Sequence, residues 1–174
     1  MNKRSCVIDL DTENGIETLL SLIRESDVLI ESFLPGTLSK LGISPDRILE
    51  ENASLVIVSL TDFGQTGPDS NYVATDDVVF ARSGWLSVSG VIDKPPLLAP
   101  GSVAYDTLGV VGAYSALLGI LHRDRTGTGQ HIDVSAVEAL AQMNTWGIPN
   151  ASASEISGAQ KNAIYEKALD HDNS

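Results

Sequence analysis

The hydrophobic pattern of the first sixty residues alternates between short apolar runs and amphipathic segments. The apolar runs lie at 6–10, 28–30 and 55–60. The last of them, LVIVSL, is unbroken and rich in β-branched residues, which favour strands. Between the first two runs, apolar side chains recur three and four residues apart at Ile16, Leu19, Leu20 and Ile23. Because continuous apolar runs are typical of buried parallel strands, we predict an α/β fold in which a Rossmann-like parallel sheet carries flanking helices.

Capping residues indicate where several helices begin. Asp11 or Thr12 stands before the first amphipathic segment, which we expect to end near Ser26. Ser44-Pro45-Asp46 combines a cap, a proline at the first helical position and an acid in the first turn. Ser135 and Glu138 form a capping-box pattern ahead of a predicted helix at 136–146. Further elements are predicted as a helix at 76–83 and a strand at 131–134.

The carboxyl ends of the predicted parallel strands are the expected ligand-binding edge of the sheet. In this chain those ends are residues 9–11, 31–33 and 59–67, and the last continues through the glycine-rich loop TDFGQTGP at 61–68. We therefore expect a ligand to lie against these three segments.

A long segment without charge, 108–121, follows a single carboxylate at Asp106. Three glycines in it, at 109, 112 and 119, suit close packing of a helix against a neighbouring element. We predict a helix that starts near Asp106 and ends by Arg123 or Asp124. The uncharged run is shorter than the about 20 residues that span a bilayer, so the prediction is a core helix.

Composition narrows the class of protein. A chain of 174 residues can bury a core, and a net charge of −12 disfavours binding to nucleic acid or to anionic membranes. Cys6 is the single cysteine, which fits a reducing compartment, and we expect it to begin a buried strand. The N-terminus has no apolar signal-peptide core, so we expect a cytoplasmic protein. We expect one domain over 1–150 and a polar, weakly helical or disordered tail over 151–174, with any helix near 159–169.

The chain has no phosphate-binding glycine motif, no nucleophile-elbow motif and no metal-like spacing of Cys or His, so no metal is expected. Its histidines, at 122, 131 and 171, share no spacing that suggests a site. Asp106 has two interpretations, because a carboxylate in the first turn of a helix can cap it or can act as a nucleophile. Composition alone favours capping.

Four runs, taken together, change that balance. They are NKRSCVIDLDTENG, SDVLIESFLPGTLSKLGIS, SLTDFGQTGP and HRDRTGTGQHIDVSAVEA, at 2–15, 26–44, 59–68 and 122–139. Over about 2–150 the chain resembles the family III CoA-transferases (the CaiB/BaiF family), a group that includes formyl-CoA and carnitine CoA-transferases and the α-methylacyl-CoA racemases. The resemblance implies a CoA-binding sheet, an interlocked dimer and an aspartate that carries the acyl group through a mixed anhydride and then carries CoA as an aspartyl thioester.

By resemblance, Asp106 matches the catalytic aspartate of the family. Its spacing to the RTG motif at 125–127 is one residue short, which would place Tyr105 in register. A tyrosine cannot form these intermediates, so we infer a local deletion and assign Asp106. The racemase branch has a His before an Asp where this chain has Thr75-Asp76. The resemblance therefore favours transferase over an α-methylacyl-CoA racemase-like isomerase.

The resemblance also implies the contacts with CoA, at Ile8, Asp9, Asp11, Ser32, Phe33, Lys40 and Leu41. Phe33 would lie against the adenine side, while Ser32 and Leu34 replace an Asn and a basic or His position of the family. Lys40 would lie near the CoA phosphates. Outside the resemblance, Lys40 reads as a surface residue and Leu41 as a core residue.

The implied activity is that of an acyl-CoA:carboxylate CoA-transferase, with an acyl-CoA and a carboxylic acid acceptor as substrates. Family members are much longer, so the fold is expected to be incomplete relative to theirs. We interpret the chain as a fragment, a split gene product or a shortened relative, inactive in isolation and completed by a homodimer or a complementing chain. The alternatives are a non-catalytic CoA-binding or assembly module and a decayed remnant.

Overall fold

The computed structural model describes residues 2–90, 94–145 and 147. The described residues form two compact units, one of residues up to Val73 together with Leu108–Ala136, the other of Ala74–Thr107 together with residues from Val137 onward. The predicted tail at 151–174 and its helix at 159–169 lie outside the described residues, and the domain boundary at 150 stays a prediction.

The first unit is built on a parallel three-stranded sheet of order β1-β2-β3. Its strands are β1 at Val28–Glu31, β2 at Val56–Thr61 and β3 at Gln130–Ser135. The sheet and its flanking helices confirm the predicted α/β architecture, and the apolar run of β2 lies where both of its edges are paired. β1 has only one paired edge in this sheet, and its Ile30 is 55% exposed, so the prediction of a fully buried strand there was wrong.

Three helices precede or follow β1 and supply one side of the core. They are α1 at Glu13–Arg24, α2 at Thr37–Lys40 and α3 at Pro45–Glu51. The predicted caps of α1 and α3 are confirmed: the Thr12 hydroxyl accepts the N–H of Gly15 and the Ser44 hydroxyl accepts the N–H of Arg47. The buried apolar cluster of this side comprises Leu20, Ile23, Leu38, Ile43, Ile48, Leu55 and Ile57.

The segment Cys6–Leu10 is not a strand, contrary to the prediction. Val7 is 99% exposed and Cys6 is exposed as well. The apolar pattern reports a tendency to be buried, but it does not determine whether a segment pairs with another strand. Both edges of the apolar central strand are taken by β1 and β3, and within 2–90, 94–145 and 147 this segment pairs with neither outer edge.

The long helix α5 at Val103–Thr126 approaches the face of β2 that carries Val56 and Leu60, whereas Ile57, which packs with α1 and α3, projects from the other face. It begins three residues before the predicted start and ends two after the predicted end. A Cβ on Gly112 would lie 2.7 Å from a methyl carbon of Leu60, and one on Gly119 would lie 2.5 Å from a methyl carbon of Val56. The two glycines therefore allow the helix backbone to approach the strand.

The full length of α5 changes the argument about membranes. By length and composition the helix could cross a bilayer, and 28% of its most apolar stretch is buried in the structure. The helix extends beyond the uncharged run, so the length of that run alone does not exclude a membrane span. What identifies α5 as a flanking helix is its glycine-mediated packing on β2.

The second unit contains α4 at Asp76–Arg82, a 3₁₀ turn at Trp85–Val88, the first turn of α5, and most of α6, which spans Ala136–Met143. The predicted helix at 76–83 is confirmed, and α6 ends three residues before the predicted 146. The Trp85 indole N–H donates to the Leu140 carbonyl at 2.9 Å and its ring stacks on Phe80, so one aromatic side chain links α4, the turn and α6.

Candidate functional site

An open pocket lies at the carboxyl ends of β1 and β2, at the edge where the sequence predicts a ligand. Its volume is about 250 Å³, which includes solvent at its mouth. It is lined by Glu31, Phe33, Leu34, Gly36, Thr37, Leu38, Ser39, Pro45, Ser59 and Gln65. Because that volume includes open solvent, the pocket is a shallow contact surface, and it is a candidate for holding one part of a larger ligand.

The lining favours a neutral, flat group over a phosphate. The residues that line the pocket include neither Lys nor Arg, and Glu31 is the charged residue among them. Phe33 is 41% exposed and offers an aromatic ring, while Ser59 and Gln65 add groups that can hydrogen-bond. A heteroaromatic base can stack on such a ring and hydrogen-bond at its edges.

Three backbone or side-chain contacts fix the walls of the pocket. The Phe33 N–H donates to Oε2 of Glu31 at 2.7 Å, and the Gln65 N–H donates to Oδ2 of Asp133 at 2.7 Å. The Ser59 hydroxyl lies 2.8 Å from Nε2 of His131. The sequence predicts a ligand at the strand ends. It does not reveal the hydrogen bonds made by Glu31, Ser59, Gln65 and Asp133. The signal that the sequence offered was a carboxylate in the last part of two strands, Glu31 in β1 and Asp133 in β3.

Phe33 is the residue of the predicted CoA set that lines the pocket, and Ser32 directly precedes it. Lys40 is the exposed last residue of α2 and does not line the pocket, although its neighbour Ser39 does. Leu41 packs against the buried apolar cluster of the first unit. The core interpretation of Leu41 is therefore confirmed, and its assignment as a CoA contact has no support from the pocket.

The three N-terminal residues of the predicted set, Ile8, Asp9 and Asp11, belong to the turn that leads into α1. The Asp9 carboxylate accepts the N–H of Asp11 at 3.1 Å, and the Asp9 carbonyl accepts the Thr12 hydroxyl at 2.9 Å. In the structure these contacts shape a turn, and none of the three residues lines the pocket.

Asp106 lies in the second unit, in the first turn of α5, and it is exposed. The N–H of Tyr105, one of the helix N–H groups that have no intrahelical partner, donates to Oδ1 of Asp76 at 3.0 Å. The Asp106 carboxylate forms no hydrogen bond or ion pair with any described residue. Capping of α5 is thus performed by Asp76, and the capping interpretation of Asp106 was wrong.

Tyr105, the alternative to Asp106 in register, is held at both ends. Besides its backbone bond to Asp76, its hydroxyl donates to the Ala74 carbonyl at 2.9 Å. Of the two neighbours, Asp106 is the one whose polar side chain is not engaged within the described part of the chain. Metal ligation has no candidate there either, because the described residues contain no group of three or more His, Cys, Asp or Glu side chains that could hold an ion.

Comparison with known proteins decides the family. The model of CoA-transferase family III matches residues 1–168. The chain belongs to CoA-transferase family III. This confirms the resemblance inferred from the four sequence runs.

The curated relatives are named as CoA-transferases with different substrates. The chain is 37% identical over 139 residues to succinyl-CoA:(R)-benzylsuccinate CoA-transferase subunit BbsE of Thauera aromatica, a match that covers 80% of this chain and 34% of the relative. It is 38% identical over 134 residues to acetyl-CoA:oxalate CoA-transferase of Acetobacter aceti, covering 76% and 34%. The chain spans about one third of the length of these relatives.

Solved structures agree with the family assignment. A CaiB/BaiF family protein from Brucella suis superposes with a TM-score of 0.82 at 29% identity, over 90% of this chain and 41% of that one. Rv3272 from Mycobacterium tuberculosis superposes with a TM-score of 0.79 at 29% identity, over 91% and 44%. The family III fold of this chain is therefore a partial one, a three-stranded parallel sheet with its helices.

Proposed function

We propose that this chain is part of an acyl-CoA:carboxylate CoA-transferase, with Asp106 as the nucleophile. The observation that carries the proposal is the family match over 1–168. Asp106 is an exposed carboxylate within that match, and it does not cap α5 because Asp76 does so. Coenzyme A thioesters are the substrates that the relatives' names share. Each proposed intermediate is an activated acyl group, which is the chemistry that a carboxylate nucleophile supplies.

The proposed reaction has four substitutions at carbonyl carbon. An Asp106 carboxylate oxygen attacks the acyl carbon of the donor thioester, the C–S bond breaks, and CoA leaves as a thiolate from a mixed anhydride. The thiolate attacks the aspartyl carbonyl, releases the donor carboxylate and forms an aspartyl-CoA thioester. The acceptor carboxylate attacks that thioester and expels the thiolate. The thiolate then attacks the acceptor's acyl carbon, which yields the new acyl-CoA and restores Asp106.

The pocket of the first unit is proposed to hold the adenine of CoA. Its aromatic ring at Phe33, its hydroxyl at Ser59 and its lack of Lys or Arg among the lining residues suit a neutral base. Lys40, which follows the lining residue Ser39, is the proposed partner of a CoA phosphate.

A second candidate function is that of a non-catalytic CoA-binding module. It rests on the pocket, which offers a contact for CoA that requires no chemistry at Asp106. The two candidates share CoA binding and differ at Asp106. An isomerase of the racemase kind is less well supported, because Thr75 replaces the His and Asp76 is engaged as the cap of α5.

CoA binding is the first expected result. Calorimetric titration of the full chain with CoA is expected to give saturable binding, and Phe33→Ala is expected to weaken it about tenfold, because base–aromatic stacking contributes about 1–3 kcal/mol. Tyr72→Ala is the matched control, since Tyr72 is an exposed aromatic residue that does not line the pocket. Failure of the unsubstituted chain to bind CoA would contradict both candidate functions.

We also propose that the chain forms a homodimer through an apolar stripe on α5. Five side chains between 47% and 67% exposed form this stripe: Val110, Tyr114, Leu117, Leu118 and Leu121. Their spacing of four, three, one and three residues places them on one helix face. The chain carries a net charge of −12, and the stripe lies in a stretch without charge, so two copies can meet there without bringing like charges into direct contact.

The oligomeric state tests this second proposal. Sedimentation equilibrium is expected to give a dimer for the unsubstituted chain and a monomer for Leu117→Glu, because a buried unpaired carboxylate strongly disfavours the interface. Val7→Glu adds the same charge at an apolar residue that is 99% exposed, and it should remain dimeric. A monomer at all concentrations, or cosedimentation with anionic phospholipid vesicles instead of dimerisation, would overturn the proposal.

A further inference from the structure

One row of side chains crosses the sheet directly beneath the pocket. Glu31 of β1 pairs in register with Ser59 of β2, and Ser59 pairs with Asp133 of β3. Residues paired across a sheet project from the same face, so the row presents a carboxylate, a hydroxyl and a second carboxylate to one side. Glu31 and Ser59 line the pocket, and Asp133 lies next to Ser59 on the side of β3.

The first carboxylate holds the segment that follows β1. Glu31 is 8% exposed, and its Oε2 accepts the N–H of Phe33 at 2.7 Å. A buried carboxylate is costly unless its oxygens accept hydrogen bonds, and a bond from N–H to an ionised oxygen is about twice as strong as a neutral one. The contact fixes the backbone of the aromatic residue that lines the pocket.

The second carboxylate holds the loop that follows β2, from a strand far away in sequence. Oδ2 of Asp133 accepts the N–H of Gln65 at 2.7 Å across a separation of 68 residues. The loop reaches this position through Gly64, whose φ of +88° is unfavourable for other residues, and the Gly64 N–H donates to the Thr61 hydroxyl at 2.9 Å. A Cβ on Gly64 would also approach Oδ2 of Asp133 to 3.4 Å.

The hydroxyl between them is oriented as well. Ser59 is 1% exposed, and its Oγ lies 2.8 Å from Nε2 of His131, a residue of β3 on the same face. Two side chains of β3 therefore hold the pocket wall. His131 contacts Ser59, and Asp133 accepts the N–H of Gln65.

We propose that Glu31 and Asp133 are positioning residues that preorganise the nucleotide pocket by holding Phe33 and Gln65. The inference rests on the proposed CoA function, since it assigns the two carboxylates to the affinity for CoA and not to chemistry at Asp106. Because each acts through a backbone N–H, its loss should free a pocket wall and weaken binding, with the entropy of reordering that wall added to the cost of binding. KM for acyl-CoA should therefore rise with kcat unchanged.

The test compares two variants at each position. Glu31→Ala and Asp133→Ala are expected to weaken CoA binding about tenfold in calorimetry, because the released pocket wall must be ordered again when CoA binds. Glu31→Gln and Asp133→Asn retain an acceptor oxygen and should recover part of the affinity. Glu25→Ala is the control, because Glu25 is exposed and lies before β1 rather than at its carboxyl end.

A second readout does not depend on CoA. Amide hydrogen exchange measured by NMR on the ligand-free chain should show that Phe33 loses protection in Glu31→Ala and that Gln65 loses it in Asp133→Ala, with the amides of β2 unchanged. Unchanged CoA affinity in both alanine variants, or unchanged protection of both amides, would overturn the positioning role. No CoA binding by the unsubstituted chain would instead mark failure of the proposed function, and the role in CoA affinity would fall with it.

Discussion

Asp106→Asn is expected to lower CoA transfer by at least about a thousandfold, the scale at which enzymes respond to loss of a nucleophile. The amide removes the anionic oxygen that attacks the thioester, while shape and size are nearly kept. The measurement is transfer of CoA from an acyl-CoA to a carboxylic acid by the dimer or by a complemented assembly. Hydroxylamine added with acyl-CoA alone should trap the activated aspartyl group as a hydroxamate, which mass mapping should locate at Asp106.

Asp77→Asn is the matched control for this substitution. Asp77 is an exposed carboxylate in the first turn of α4, so the change in charge and the position at a helix start are the same. It should leave transfer within about twofold. A transfer activity that persists in Asp106→Asn, or an adduct at another residue in an active assembly, would refute the assignment of the nucleophile. CoA binding that survives while no assembly transfers CoA would favour the non-catalytic module.

Two glycines of α5 are expected to respond to alanine with opposite signs. Gly119→Ala should destabilise the chain by about 1–3 kcal/mol, because the new Cβ would lie 2.5 Å from a methyl carbon of buried Val56. Gly109→Ala meets no atom within 4 Å and should stabilise by about 0.5–1 kcal/mol through helix propensity. Urea denaturation followed by circular dichroism gives both values.

Helix propensity improves equally in Gly119→Ala and Gly109→Ala, because each replaces a helical glycine with alanine. A difference in sign therefore reports the approach of α5 to the sheet. If both variants were stabilised by the same amount, α5 would not pack on β2 through Gly119.

The helices and strands were predictable where interactions between residues close in sequence are enough to form them. The caps at Thr12 and Ser44 are fixed by hydrogen bonds within four residues. The unbroken apolar run of β2 needs to be buried on both faces, as it is in the centre of the sheet. The failed prediction at Cys6–Leu10 differs in kind. Its apolar run also predicts a strand, but whether a segment pairs with the sheet depends on long-range contacts that a local run does not determine.

The candidate site was only partly predictable for a related reason. The pocket lies at the segments 31–33 and 59–67, where the sequence predicts a ligand because parallel strands present ligands at their carboxyl ends. The link between Asp133 and Gln65 spans 68 residues and depends on strand order and register, which the local sequence does not determine. The release of Asp106 from capping likewise depends on Asp76, thirty residues earlier, and on how α4 meets the first turn of α5.

The order of the strands has a consequence for how the chain folds during synthesis. Val56 of the central strand pairs with Gln130 of β3, so 74 residues must be added before the second edge of β2 can be paired. At roughly 5–20 residues per second, the ribosome takes on the order of 4–15 s to add them. During that interval the most apolar strand of the chain presents an open edge, which is the feature that invites aggregation. Nascent chains of this protein should therefore depend on chaperones until β3 emerges, and slower translation after residue 61 should lower the soluble yield.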